Sequence, residues 1–300
     1  MPEEGPNLLL NIAHLSDLHF SKITLNPSQF FSKQWLGNLN LLLFRGKRVG
    51  SKHLPRLLSV LKDFKIKLVI ITGDLTSTSH PEEFKLAKNF IDELKASGME
   101  VIVIPGNHDH YTRKAYKKKV FYDFFPEYLH PEEDNIIPAS LKEHGITIKP
   151  LNHNWYLVAL DTALATSLIS SRGLFSKTLE KRLRRVLSII PKDKNVILAN
   201  HFPFFNQESP RKILVRREAL LKTLQDFPSV KIYLHGHTHR SSLVDLRENK
   251  LPIILDCGST GLKPRQSWNR LLLKENELTV QLFEAKNQDW EAFRTETFTL

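Results

Sequence analysis

Five times along this 300-residue chain a short apolar run stops abruptly at aspartate, asparagine or histidine. Leu8 to Leu15 runs into Ser16-Asp17-Leu18-His19, and Lys67 to Thr72 into Gly73-Asp74. Val101 to Ile104 is followed by Pro105-Gly106-Asn107-His108-Asp109-His110, Asn195 to Ala199 by Asn200-His201, and Val230 to Leu234 by His235-Gly236-His237-Thr238-His239. Short apolar runs bounded by turn formers predict buried strands. In open α/β sheets, ligands bind beyond the C-terminal ends of the strands. Singly, each polar residue is accounted for by a turn, a helix cap or a surface or buried histidine. Five in one chain predict a common site, and several carboxylates and imidazoles in one place call for metal.

Between these runs the period changes. Lys52 to Phe64 is compatible with helix, and Glu82 to Ser97 has the spacing of an amphipathic helix through Phe84, Leu86, Ala87, Phe90, Ile91 and Leu94, closed by Gly98. Strand alternating with helix predicts a largely parallel sheet with covering helices. Trp155 to Leu160 reads as a strand ending in Asp161, Ser176 to Ile190 and Lys212 to Phe227 as helices, and Pro131 to His153 as irregular. Leu243 to Leu246, Ile253 to Asp256, Arg270 to Leu273 and Leu278 to Phe283 read as antiparallel strands. With no repeat, low-complexity tract or linker, residues 1–300 read as one domain.

The single cysteine, Cys257, excludes an internal disulfide framework and is compatible with a reducing cytoplasm. Met1 to Asn11 lacks the basic start and apolar core of a signal peptide, and no apolar run approaches the roughly 20 residues of a membrane-spanning helix. A net charge of +11 points to partners bearing phosphate: nucleic acid, an anionic bilayer or a phosphorylated substrate.

Two segments combine basic with apolar residues. The first, at about 21–50, carries Phe30, Phe31, Trp35 and Leu41 to Phe44 beside Arg45, Lys47 and Arg48, and no acidic residue occurs from Phe20 to Lys62. It reads either as a segment lying in a bilayer interface or as a helical pair covering the core with its basic residues exposed. The second, at about 111–130, carries Arg113 and Lys117 among Tyr111, Tyr116, Phe121, Tyr122, Phe124 and Phe125. It reads as an amphipathic helix with a solvated lysine face, placed at the rim of the predicted site.

Asp17-Leu18-His19, Gly73-Asp74, Gly106-Asn107-His108-Asp109, His201 and Gly236-His237-Thr238-His239 together resemble the signature of the calcineurin-like metallophosphoesterases, over residues 17 to 239. The resemblance implies a four-layer α/β/β/α sandwich of two mixed sheets, holding two divalent ions. It implies Asp17, His19 and His239 on one ion, Asn107, His201 and His237 on the other, and Asp74 between them. Mixed nitrogen and oxygen ligands favour Mn, with Fe or Zn as alternatives. His108 would supply a hydrogen bond or proton to the reacting group, and Asp109 would orient it.

For substrate, the expectation is hydrolysis of UDP-2,3-diacylglucosamine to UMP and 2,3-diacylglucosamine 1-phosphate, as in lipid A biosynthesis. Phe30, Phe31, Trp35, Arg45, Lys47, Arg48, Arg113 and Lys117 are the candidate substrate or membrane contacts, and the enzyme would sit peripherally on the cytoplasmic face of the inner membrane. The alternatives are a cyclic-nucleotide or generic phosphodiesterase and a nuclease. Nucleic acid is disfavoured because the basic runs are mixed with leucine and phenylalanine clusters rather than spaced stacking aromatics. No protein partner is inferred.

Overall fold

A computed structural model describes residues 9–22, 53–126, 140–167, 170–205, 209–287 and 289–300. Phe30, Phe31, Trp35, Arg45, Lys47 and Arg48 lie outside the described residues, as does most of the 21–50 segment.

The predicted strands form, and they assemble into two six-stranded sheets. In the first, β1 (Leu10–Leu15), β2 (Leu68–Ile71) and β3 (Glu100–Val103) run parallel, and β12 (Ser267–Leu273), β13 (Glu277–Lys286) and β14 (Asp289–Thr299) continue antiparallel from β1. The second orders β10 (Ser241–Asp245), β11 (Ile253–Cys257), β9 (Val230–His235), β7 (Asn195–Ala199), β5 (Trp155–Leu160) and β4 (Ile146–Pro150). A two-stranded parallel ribbon joins β6 (Gly173–Leu174) to β8 (Leu214–Val215).

The sandwich follows from the period of two along each strand. On β5, Leu157 and Ala159 belong to the core shared with the first sheet, while Val158 and Leu160 face the second core with the helices α6 (Lys177–Ile189) and α7 (Arg217–Asp226). The first sheet is covered by α1 (His53–Asp63) and α2 (Pro81–Ala96), which bury Leu57, Leu61, Phe84, Ala87 and Ile91. Both faces of each sheet are therefore dry where the parallel strands run, which is why those strands read as continuous apolar runs rather than alternating ones.

Four expectations are corrected. The stretch read as irregular contains α5 (Leu141–His144) and β4, which pairs with β5 along its whole length. Ile253 to Asp256 belongs to a strand that is antiparallel to β10 but parallel to β9. Lys212 to Phe227 is not one helix: β8 precedes α7, and Arg216 separates them in left-handed backbone with φ 64°. The basic, aromatic segment after His110 is two short helices, α3 (Arg113–Lys117) and α4 (Val120–Phe124); the rings of α4 and Phe125 turn inward, while Tyr116 on α3 is exposed. Phe121, Tyr122 and Phe125 are buried in the core and Phe124 stacks on Phe84, because burying those rings removes far more apolar area from water than a rim would. Arg113 and Lys117 remain exposed.

Candidate metal centre

Parallel strands β1, β2, β3, β7 and β9 all end on one side of the sandwich, and the loops that follow them meet there. Asp17 Oδ1 lies 2.9 Å from His239 Nε2 and 3.6 Å from His19 Nε2, so the first predicted ligand set is assembled. Asp74 Oδ2 lies 3.8 Å from His19 Nε2 and 3.5 Å from His201 Nε2, reaching towards both sets. His201 Nε2 is also 3.3 Å from Asn107 Oδ1, and the His201 and His237 rings are 5.1 Å apart. One nitrogen of His108 comes within 4.8 Å of ligand atoms on His19 and Asp74. His239 is 35% exposed while Asp17, His19, Asp74 and His201 are buried, so the cluster opens to solvent on the His239 side.

Four of the seven predicted ligands, Asp17, Asp74, His201 and His237, have the atom that faces the site aimed by a hydrogen bond at the other end of the side chain. The second oxygen of Asp17 accepts from Ser16 Oγ at 2.7 Å and from the His237 N–H at 3.0 Å. That of Asp74 accepts from the His108 N–H at 2.7 Å. His201 Nδ1 donates to the Thr72 carbonyl at 2.7 Å, and His237 Nε2 to that of Lys212 at 2.9 Å. A carbonyl only accepts, so these bonds assign the proton to Nδ1 of His201 and Nε2 of His237 and leave the opposite nitrogen to the site.

Backbone conformation carries the same signature. Asp17, His19, Asp74, His237 and His239 all have positive φ, between 49° and 69°. Left-handed backbone costs such residues on the order of 1 kcal/mol or more each, and strain of this kind concentrates at functional sites. Two glycines make the packing possible: a Cβ on Gly106 would lie 2.2 Å from Asp74 Oδ1, and one on Gly236 2.3 Å from Asp17 Oδ2.

The charges agree with a cation site. Burial alone would raise the Asp17 and Asp74 carboxyls, but neighbouring histidines outweigh it, led by His239 at Asp17 and by His201 at Asp74. Both carboxyls lie below the usual range. Burial, aided by His201, pushes His237 down to about 3, which keeps it a neutral ligand-type imidazole. Burial would also lower His201, but Asp74 beside it pulls it up to about 9, so without an ion this imidazole carries a second proton on the Nε2 that faces Asp74, where a cation would take its place. Two buried carboxylates among the four imidazoles of His19, His201, His237 and His239, with Asn107 alongside, are the donor set that a pair of divalent ions needs, so the residues fit the implied metals.

Asp109 does not orient His108. Its carboxylate accepts from the N–H groups of Gly106, Leu75 and Thr76 at 3.0, 3.2 and 2.9 Å and from Thr76 Oγ1 at 2.9 Å, tying the loop after β3 to the loop after β2. Backbone donors converge there because both loops turn sharply away from paired strands. His108 is instead held by the Ser77 carbonyl, stacks on Tyr111 with centroids 5.5 Å apart, and meets His19 edge-on at 4.9 Å. The carbonyls of Thr72, Ser77 and Lys212 leave no mark in the sequence; Asp256, buried at the end of an apolar run, carries the same signal as the predicted ligands.

A family model for calcineurin-like phosphoesterases matches residues 10–241. A probable glycerophosphodiester phosphodiesterase, GpdQ, of Arcobacter nitrofigilis is 29% identical over 182 residues, which span 59% of this chain and 58% of that protein. A 3′,5′-cyclic-nucleotide phosphodiesterase of Nostoc sp. is 21% identical over 211 residues, 68% of this chain and 69% of the relative. Among solved structures, a dimetal phosphatase from Danio rerio superposes with a TM-score of 0.66 at 14% identity, covering 97% of this chain and 98% of that one. At that identity the likeness is one of fold.

Proposed function

Because the chain belongs to the calcineurin-like phosphoesterase family, we propose that this metal-dependent phosphohydrolase cleaves phosphodiesters, of the glycerophosphodiester or cyclic-nucleotide kind. The observation that carries the reading is Asp74 Oδ2, poised between His19 and His201 at 3.8 and 3.5 Å, a carboxylate placed to be shared by two ligand sets. We assign Asp17, His19 and His239 to one ion and Asn107, His201 and His237 to the other. When bound, two such ions supply Lewis acidity and charge neutralisation at the phosphoryl oxygens and acidify water for in-line attack. Asp17 and Asp74 keep the site anionic enough to hold cations. His108, protonated at Nδ1 by its bond to Ser77, presents Nε2 for hydrogen bonding or proton transfer at the leaving oxygen. The names of both curated relatives support a diester substrate.

The sequence-based expectation of UDP-2,3-diacylglucosamine at a membrane surface loses part of its support, since Phe121, Tyr122 and Phe125 after His110 are core residues. It rests now on Phe30 to Arg48 and on the net charge of +11. No helix among the described residues is long and apolar enough to cross a membrane. The deciding assay offers Mn-loaded protein a glycerophosphodiester, a cyclic nucleotide, UDP-2,3-diacylglucosamine in detergent and single-stranded DNA. Turnover of either of the first two is expected. UMP release from the lipid with neither diester cleaved would overturn the proposal.

A further inference from the structure

His237 and His239, assigned to different ions, both occupy left-handed backbone, with φ of 69° and 58°. Histidine holds that conformation only where its surroundings over-determine it. One restraint is the bond from the His237 N–H to Asp17. A further one lies outside the ligand set. Thr238, between the two histidines, donates its hydroxyl to Oδ2 of Asp256 and accepts the Arg240 N–H at 3.1 Å.

Asp256 is itself firmly placed. It is 2% exposed on β11, its Oδ1 accepts from the Gly258 N–H at 2.9 Å, and its register partner on β9 is His235, just before the loop. A buried carboxyl group on an inner strand thus grips the middle residue of the turn that bears the two histidines.

We propose that the hydrogen bond from Thr238 to Asp256 is a latch that presets the His237-Thr238-His239 turn for ligation, making Asp256 a positioning residue for both ions at once. The inference rests on the metal centre and is independent of which diester is cleaved. Since one latch serves two ligands on different ions, breaking it weakens both sites together. Outer partners of metal ligands typically contribute about 10- to 100-fold in affinity.

The test is titration of the full chain with Mn²⁺ against a competing chromophoric chelator, comparing Thr238→Val, which keeps the shape and loses the hydroxyl, with Thr238→Ser, which keeps the hydroxyl. The valine variant is expected to bind Mn²⁺ about 10-fold or more weakly at both sites, and the serine variant close to wild type. A threonine with a merely structural role would lower the unfolding midpoint without changing the affinity of the folded protein. Wild-type affinity in folded Thr238→Val, or a loss confined to one ion, overturns the latch. If the valine variant does not fold, Asp256→Asn decides by the same measure, since the amide leaves one acceptor for two donors. Failure of the wild type to bind any of Mn²⁺, Fe²⁺ and Zn²⁺ would overturn the metal centre itself, a result distinct from failure of the latch.

Discussion

Nδ1 of His108 donates to the carbonyl oxygen of Ser77 at 2.6 Å, so a loop from one strand orients the imidazole of another. The same loop supplies Asp74, whose second oxygen accepts the His108 N–H at 2.7 Å. The orientation of the acid and the placement of the shared carboxylate are therefore set by one contact surface between the loops after β2 and β3. Replacing His108 removes a proton donor without removing a proposed ligand. His108→Ala is expected to lower kcat by roughly 100-fold or more, the scale of general acid catalysis, while Mn²⁺ stoichiometry stays that of the wild type. Steady-state kinetics beside metal analysis checks this, and parallel loss of metal would reassign His108 as a ligand.

Asp74 offers the opposite pattern. Its Oδ2 reaches towards His19 and His201, so Asp74→Asn removes negative charge from both ligand sets while keeping the side chain's shape. Mn²⁺ affinity is expected to fall by more than about 100-fold, above the usual loss from an outer partner, and turnover with it. Chelator competition reads the affinity. Unchanged binding would show that Asp74 bridges nothing.

Asp109 is expected to matter for stability rather than chemistry. Its carboxylate satisfies three backbone N–H groups and one hydroxyl in a buried corner, and burial, followed by the nearby Asp74, pushes it up to about 6. Asp109→Ala strands those donors at on the order of 1–3 kcal/mol each before relaxation, so a loss of about 3 kcal/mol or more is expected in denaturant unfolding. A variant of wild-type stability but reduced kcat would restore the orienting role that its sequence position implied.

The strand-end pattern made Asp17, Asp74, Asn107, His201, His237 and His239 legible because an apolar run and a ligand-type side chain are both local properties of the sequence. Asp161 and Asp256 end such runs too, yet neither joins the cluster. Asp161 accepts from Tyr122 OH at 2.6 Å and faces His110 Nε2 at 3.4 Å, while Asp256 holds Thr238. What a strand end meets depends on strand order, and the order β10-β11-β9-β7-β5-β4 is settled by long-range pairing that local patterns do not encode. The direction of the rings after His110 was hidden for the same reason: Phe84 and Phe124 are neighbours only once α2 and α4 have packed.

Glu83 makes the pH dependence of the fold testable away from the proposed ligands. It caps the start of α2: Oε2 accepts from the N–H groups of Thr78 and His80 at 2.8 and 3.2 Å and from Thr78 Oγ1 at 3.1 Å. Burial nevertheless pushes the carboxyl up to about 7 from an ordinary 4.5, outweighing these donors. The folded state therefore binds this proton more tightly than the unfolded state. Its stabilising contribution is complete below pH 4.5 and is lost as pH rises to about 7, a change on the order of 3 kcal/mol. Glu83→Gln keeps one oxygen for the cap and has no proton to lose. The unfolding free energy of the wild type relative to this variant should decline between pH 4.5 and 7 and then level off. A gap that stays constant over that range would mean that the capping bonds, and not burial, decide the charge of Glu83.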